Sequence, residues 1–416
     1  GHGAQCPYDD LKKMKIIQTI KTAYKKKWYI SFCILFALLL IYLLCELKNH
    51  RFHQSDFHVY YTAAHRIIHG ENLYRPIEDG FYHFKYSPVA ALFFVPFALF
   101  PFSVAKVLYW LFLSTVICFG FYLSILMVEP GFKRRDDFRA INNLVLLSAL
   151  AVSVHFVREL ELGQVNHLLY VMYVCVLYLF WKNRNLLCGF LLSASFFFKP
   201  FALIFLPWFI LRKNWKISGY FLGSIVVLGL VSVLFIGPRK IPLQYHGWMQ
   251  ELSIELSHKQ DLLANGNHTV FSIIARFTPL RFTPIVTTHV HYYQMSLLLI
   301  VGMIFLYIIK KGKGLPGRNF VLEGAFLINC IPLLSFTSHN AFGFVELTVI
   351  LVLYHFKRMS LGLKMTALSG IALSGGNIYD LTGRKLWFVF DDASLVGIGA
   401  MLLLVALVVL RRKQVC

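Results

Sequence analysis

Apolar runs separated by polar segments organise this chain. Read in order, twelve runs are candidate membrane crossings: Trp28 to Leu47, Phe102 to Val128, Ile141 to Val157, His167 to Trp181, Leu186 to Phe198, Phe201 to Leu211, Ile217 to Ile236, Tyr293 to Ile309, Asn319 to Ser335, Asn340 to Phe356, Leu361 to Leu373 and Ser394 to Leu410. A full crossing takes about 20 residues, and several runs are shorter. Leu186 to Phe198 and Phe201 to Leu211 are joined only by Lys199 and Pro200, which predicts a hairpin that stops short of the far surface. Val89 to Phe100 is too short to span and contains Pro96, so a re-entrant or interfacial helix is expected there. The pattern predicts an all-α polytopic membrane protein with about twelve transmembrane or partly spanning helices.

Directly after the first run the period changes. In Gln54 to Gly70, the side chains of Phe57, Tyr60, Tyr61, Ala64, Ile67 and Ile68 share a stripe at helical spacing. Ser55 is placed to cap this helix, Asp56 falls in its first turn, and Gly70 is a natural stop. One reading is an interfacial amphipathic helix whose acid complements the helix dipole. The other makes Asp56 a catalytic base at a membrane surface.

Composition agrees with the apolar pattern: 57% hydrophobic residues, 15% charged residues and 39 Phe among 416 describe a chain that needs lipid as solvent. The formal charge of +21 would suggest a nucleic-acid partner if the cations formed one patch. They do not. With the N-terminus inside, 25 of the 41 Lys and Arg fall on the inner side, in clusters such as Lys25 to Lys27, Lys133 to Arg135, Lys310 to Lys313 and Arg411 to Lys413. The positive-inside rule accounts for them, and no nucleic-acid partner is expected. This divides the chain into a basic cytosolic N-terminus (1–27), a single transmembrane domain (28–410) and a basic cytosolic tail (411–416), with outer loops at 48–101 and 237–292 that carry short amphipathic helices. Gly1 to Pro7 shows no charged-then-apolar signal pattern, and the first run is expected to be an uncleaved anchor. Six cysteines lie in apolar runs and two in inner segments, so no structural disulfide is expected. No internal repeat is visible, which weakens an inverted-repeat transporter.

Polar chemistry gathers on the outer side, where 12 of the 16 histidines fall. Arg158 to Asn166 packs a cation, two acids, a Gly turn and two amides between two crossings. Lys199 stands between apolar residues, either as a snorkelling lysine or as a counter-charge for an anionic headgroup. Asn265 to Thr269 opens a helix expected to run to Arg276, and Ser335 to Asn340 is a polar turn. Together they supply one base, several cations and amide donors on one membrane face.

These residues resemble glycosyltransferase family 87, membrane enzymes of the GT-C superfamily that use polyprenyl-phosphate sugars and include α-mannosyltransferases. The resemblance extends over nearly the whole chain. Its carriers are Asp56-Phe57 with Tyr60, Tyr61, Ala63 and Ala64, then Gly70, Tyr74, Tyr86-Ser87-Pro88, Gly163-Gln164-Val165-Asn166, Lys199-Pro200, Gly266-Asn267-His268-Thr269 and Ser335 to His339. The family more often has Pro-Pro near Ser87 and Gln at position 268, and it shows a Pro and a Trp that Phe336 and Thr337 do not reproduce.

The resemblance implies a GT-C-type fold in the cell (inner or plasma) membrane, with the active site on the outer face and both termini inside. It implies transfer of a sugar, mannose by family precedent, from a polyprenyl-phosphate donor to a glycolipid or glycan acceptor. Asp56 would deprotonate the acceptor hydroxyl and the anomeric centre would invert. Arg158, Lys199 and His339 are the expected donor-phosphate partners, with Lys85 and Arg276 in reserve. Tyr60, Tyr61, Glu159, Gln164, Asn166, Asn267 and His268 are the expected sugar and acceptor contacts, and Glu159 is also a candidate partner for Arg158. No cofactor beyond the lipid-linked donor and no metal are expected; His65 with His69 and His289 with His291 are the pairs at ligand-like spacing. The competing classes are a transporter or flippase of a lipid-linked sugar and a scaffold for envelope enzymes. Large outer loops and clustered ionisable groups favour the enzyme.

Overall fold

In a computed structural model, residues 18–258, 261–311, 319–335 and 339–413 are described. Most of the expected basic N-terminus, Phe336 and Thr337, and the last three residues of the tail lie outside them. The described chain is all-α, with no strand among those residues. Each of the twelve apolar runs forms helix. The principal helices are α1 (Ile30–Lys48), α2 (Ser55–Ile68), α3 (Pro88–Ala98), α4 (Phe102–Val128), α5 (Arg139–Leu162), α6 (Asn166–Trp181), α7 (Asn185–Phe198), α8 (Phe205–Leu211), α9 (Trp215–Ile236), α10 (Ile241–His258), α11 (Val270–Phe277), α12 (Val290–Lys311), α13 (Asn319–Leu334), α14 (Glu346–His355), α15 (Leu361–Gly375), α16 (Tyr379–Asp392) and α17 (Leu395–Lys413).

Among the described residues, six helical segments are long and apolar enough to cross a membrane: α1, α4, α5, α9, α12 and the segment His339–Arg358 that contains α14. A seventh arises if α16 and α17, bent by 66° at their junction, count as one. The remaining runs are helices of partial span. Several of these are largely buried within the bundle: most of α6 and nearly all of α13 is covered by protein. Their short length is therefore compensated by neighbours that satisfy and cover their ends. By contrast, α9 and α12 leave most of their apolar surface outward.

Helix α2 is positioned by aromatic packing. Phe57 is fully buried and stacks on Tyr109 of α4 at 4.2 Å between ring centroids, and Tyr60 stacks on Phe94 of α3 at 4.7 Å. The buried stripe is Phe57, Tyr60, Ala63, Ala64 and Ile67. It is rotated from the sequence expectation, because Tyr61 is only half-buried and Ile68 is exposed. Ser55 does not cap the helix either. Gln54, at φ 50°, occupies the N-cap without a side-chain cap bond, and its amide donates instead to the Leu160 carbonyl at 3.3 Å. Burying Phe57 contributes about 1.5–3 kcal/mol, more than the ~1 kcal/mol of a cap, so packing decides where the helix begins.

The short apolar segment forms α3, capped by Ser87, whose hydroxyl accepts from the Ala90 amide at 3.1 Å. It lies against α2, α4 and α7 rather than spanning. On the other side of the bundle, α15 and α17 approach closely at Gly370 and Gly399, where an added Cβ would fall within 3.1 Å of the opposing backbone.

Candidate active site

Asp56 sits in the first turn of α2, and Gln164 lies in the turn between α5 and α6. Gly163 lets these two approach. It holds φ 69° as the C-cap of α5, and a Cβ there would meet Phe57 Cβ at 2.6 Å, so both the left-handed backbone and the space require glycine. The Gln164 side-chain amide donates to Asp56 Oδ2 at 2.5 Å. Its Oε1 accepts from Tyr60 Oη at 2.9 Å, from the Val165 amide at 3.1 Å and from Tyr86 Oη at 3.3 Å. Three donors on the oxygen fix the NH2 group toward Asp56. Burial pushes the Asp56 carboxyl above its ordinary value, opposed by the Gln164 hydrogen bond and then by the charges of Lys199, Arg158 and Lys85. A half-buried carboxylate held by a neutral amide keeps more basicity than the helix dipole alone would leave it.

Lys199 ends α7 in extended backbone at φ −147°. Its ammonium donates to Asn166 Oδ1 at 2.5 Å and lies 5.9 Å from the Tyr86 ring centroid. Asn166 in turn donates to Glu159 Oε2 at 3.3 Å. The Glu159 carboxylate is almost completely buried; it also accepts from the His167 amide at 2.9 Å and from the Asn340 side chain. The candidate residues thus form two connected pieces. Asp56, Gln164, Tyr60 and Tyr86 make one, and Lys199, Asn166, Glu159 and Asn340 the other. Lys199 is in electrostatic reach of both acids.

A third cluster includes His339, the residue immediately before Asn340. His339 Nε2 lies 2.6 Å from His268 Nε2 and 2.8 Å from Asp391 Oδ1. His268 precedes α11, whose N-cap is Thr269. Asp391 comes from the end of α16, a helix in the polar stretch between the last two apolar runs.

Other expected contacts are placed elsewhere. Arg158 pairs with Glu161 at 2.7 Å on the surface, not with Glu159, because residues three apart share a helix face whereas the neighbouring Glu159 points inward. Tyr61 donates to the Phe100 carbonyl at 2.8 Å and anchors α2 to the end of α3. Asn267 accepts from the Thr269 amide and hydroxyl at 3.1 and 2.7 Å, so it shapes its own loop. Lys85 pairs with Glu255 at 2.5 Å, and Arg276 donates to Ser394 Oγ at 2.9 Å and to the Asp392 carbonyl. The rings of His65 and His69 stack at 5.9 Å, while His289 and His291 are exposed at the start of α12. The sequence reading had Asn340 only as the end of a polar turn and did not name Asp391; the Asp391-Asp392 pair immediately before an apolar run was the available signal. A groove of about 460 Å³, between Asn72 to Pro76 and α10, lies apart from these clusters.

The fold and this polar end define a polytopic membrane protein with a buried, hydrogen-bonded acid at the rim of its helices. The family profile of glycosyltransferase family 87 matches residues 84–335. That is more than half of the chain, which belongs to this family and is a glycosyltransferase. No curated protein matches the chain.

Proposed function

We propose that the chain transfers a sugar, mannose in the first instance, from a polyprenyl-phosphate-linked donor to a glycolipid or glycan acceptor at the outer face of the cell membrane. The observation that carries this reading is Asp56: a half-buried carboxylate positioned by Gln164, with the Lys199 ammonium close enough to influence it. Asp56 takes the proton of the acceptor hydroxyl as its oxygen attacks the anomeric carbon. The bond from that carbon to the donor phosphate breaks on the opposite face, inverting the centre, and polyprenyl phosphate leaves with the electron pair. Lys199 faces the developing phosphate charge, held by Asn166 and so by Glu159. Asp56 then returns its proton to water. Tyr60 and Tyr86 hold Gln164, and thus the base, in place.

The test is release of polyprenyl phosphate from synthetic polyprenyl-phosphate mannose by purified protein supplied with a membrane glycolipid extract. Release that accompanies glycosylation of the acceptor and is lost in Asp56→Asn supports the reading. Equal release by both proteins removes Asp56 from catalysis.

A further inference from the structure

The His268, His339 and Asp391 cluster is built from three distant parts of the chain. His268 precedes α11, His339 opens the 3-10 turn before α14, and Asp391 ends α16. The elements are locked together. Ser394, in left-handed backbone at φ 52°, donates to the Asn267 carbonyl at 2.9 Å and accepts from Arg276 at 2.9 Å. The backbone of Gly397 lies so close to the His268 carbonyl that a Cβ would approach its oxygen to 2.1 Å. Gly266, at φ 77°, leaves room for the Asp391 carboxylate, 3.3 Å from where its Cβ would stand.

Three acceptor-capable atoms converge here. The separations are 2.6 Å between the two Nε2 atoms, 2.8 Å from His339 Nε2 to Asp391 Oδ1, and 3.5 Å from His268 Nε2 to the same oxygen. With both imidazoles neutral, a proton on His339 Nε2 can point at the other ring or at the carboxylate, and His268 Nε2 is left as a lone pair facing a carboxylate oxygen. Hydrogen bonding therefore accounts for part of the triangle only. A cation accounts for all of it. These separations put a point about 1 Å off the plane of the three atoms at about 2.05 Å from each, the distance of Zn²⁺ from imidazole nitrogen and carboxylate oxygen.

The surroundings fit the same occupant. Asn377 Nδ2 stands 3.3 Å from His339 Nδ1, whereas Asn377 Oδ1 is buried and has no hydrogen-bond partner among the described residues. Turning that amide over lets Oδ1 accept from Nδ1–H, which leaves the Nε2 lone pair for a metal and satisfies both groups. The His268 side chain is 1% exposed, while those of His339 and Asp391 are 26% and 17% exposed, so the cluster is closed on one side and open on the other.

We propose that His268 Nε2, His339 Nε2 and Asp391 Oδ1 bind a divalent first-row transition ion of the Zn²⁺ type, with Asn377 orienting His339 and a remaining coordination position left for a non-protein oxygen. Two imidazoles and one carboxylate suit Zn²⁺ and select against Mg²⁺ and Ca²⁺, which take oxygen. The site reassigns His339, which the resemblance put at the donor phosphate, and His268, which it put among the sugar and acceptor contacts, and it is independent of which donor or acceptor the enzyme uses.

The test uses the full chain in detergent without substrate. After chelator treatment the protein is titrated with Co²⁺ and Zn²⁺, reading metal content by elemental analysis and Co²⁺ ligand-field bands by absorption. Wild type is expected to take up one equivalent at this site, with the bands of a low-coordinate ion, and Asp391→Asn and His268→Ala are expected to lose it. A His65→Ala/His69→Ala double variant is expected to keep it. Asp391→Cys gives a readout that a folding defect cannot imitate: a thiolate-to-Co²⁺ charge-transfer band absent from wild type. No ligand-field bands in wild type, or bands that persist in Asp391→Asn with no charge-transfer band in Asp391→Cys, would overturn the site and leave a hydrogen-bonded triad. Either result leaves the transferase assay of Asp56 to be judged by itself.

Discussion

The acids at opposite ends of the bundle are held in opposite ways. Glu323, near the start of α13, is completely buried and bound by cations. Arg212 reaches its Oε2 at 2.5 and 3.0 Å, the Trp208 indole N–H at 2.9 Å, and Arg411 reaches Oε1 at 2.9 Å. This ties α8, α13 and the end of α17 into one clamp. At the other end, Asp56 and Glu159 are held by amides and a backbone N–H, with Lys199 bonded to Asn166. A carboxylate locked between two guanidinium groups has its charge committed to structure. One oriented by neutral donors keeps the capacity to accept a proton. Glu159 and Glu323 are equally buried, so the chemical difference between these two is the identity of the donors around each acid.

The sharpest way to break that comparison is Asp56→Asn. It keeps the shape, removes the base, and is expected to lower kcat/KM by about 10²–10⁴-fold with unfolding temperature near wild type, read by phosphate release and by thermal unfolding in detergent. At the other end, Glu323→Leu leaves Arg212 and Arg411 without their anion. A loss of about 3–5 kcal/mol of stability is expected, with activity per folded molecule retained. Adding Arg212→Met and Arg411→Met is expected to restore much of that stability. If Glu323→Leu instead left stability intact, the clamp would not be the structural counterpart claimed here.

What the sequence made legible is what is local. Asp56 with its helix, the glycine turn at Gly163, the α7 end at Lys199 and the start of α11 at Thr269 follow from period, turn chemistry and an isolated charge, and the described helices match them. The partners are set by packing between distant segments. Arg158 and Glu159 are adjacent in sequence, yet one points outward and the other is buried against Asn340, 181 positions away. Asp391 was hidden because Ser374 to Ala393 reads as a polar loop, whereas it contains a helix that hands the carboxylate to two histidines. The rotation of the α2 stripe has the same origin, since the faces of α3 and α4 decide which side chains are covered. Glu323 drew no attention as a single acid in an apolar run, because its three partners lie 88 to 115 positions away.

A smaller effect tests how Asp56 is tuned. Burial raises its pKa and Lys199 is among the groups pulling it down. In the proposed mechanism the ionised form is the base, so activity is expected to fall as pH drops through that pKa, above the ordinary aspartate range. Lys199→Met removes a cation that favours ionisation, so the acid limb of kcat/KM is expected to move to higher pH, beyond the fall in rate from losing the proposed phosphate contact. Lys199→Arg keeps the charge and should leave the limb near its wild-type position. A limb that stays fixed in Lys199→Met would place the titrating group elsewhere.

The smallest expected effect is at Arg158, which the sequence put at the donor phosphate. Its side chain is 57% exposed and paired with Glu161 three residues on, while Glu161 also accepts from Tyr42 at 2.6 Å. An exposed pair of this kind contributes under about 1 kcal/mol. Arg158 does lower the Asp56 pKa, but it ranks behind Gln164 and Lys199 in doing so. Arg158→Ala is therefore expected to leave stability and kcat/KM close to wild type and to move the acid limb upward by less than Lys199→Met does. Measuring both variants in the same phosphate-release assay at low and high salt separates the cases, since screening weakens an exposed charge more than a half-buried one. A loss in Arg158→Ala as large as that in Lys199→Met would mean that Arg158 leaves Glu161 for the donor, and the neutral hold on Asp56 and Glu159 would then be completed by two cations rather than one.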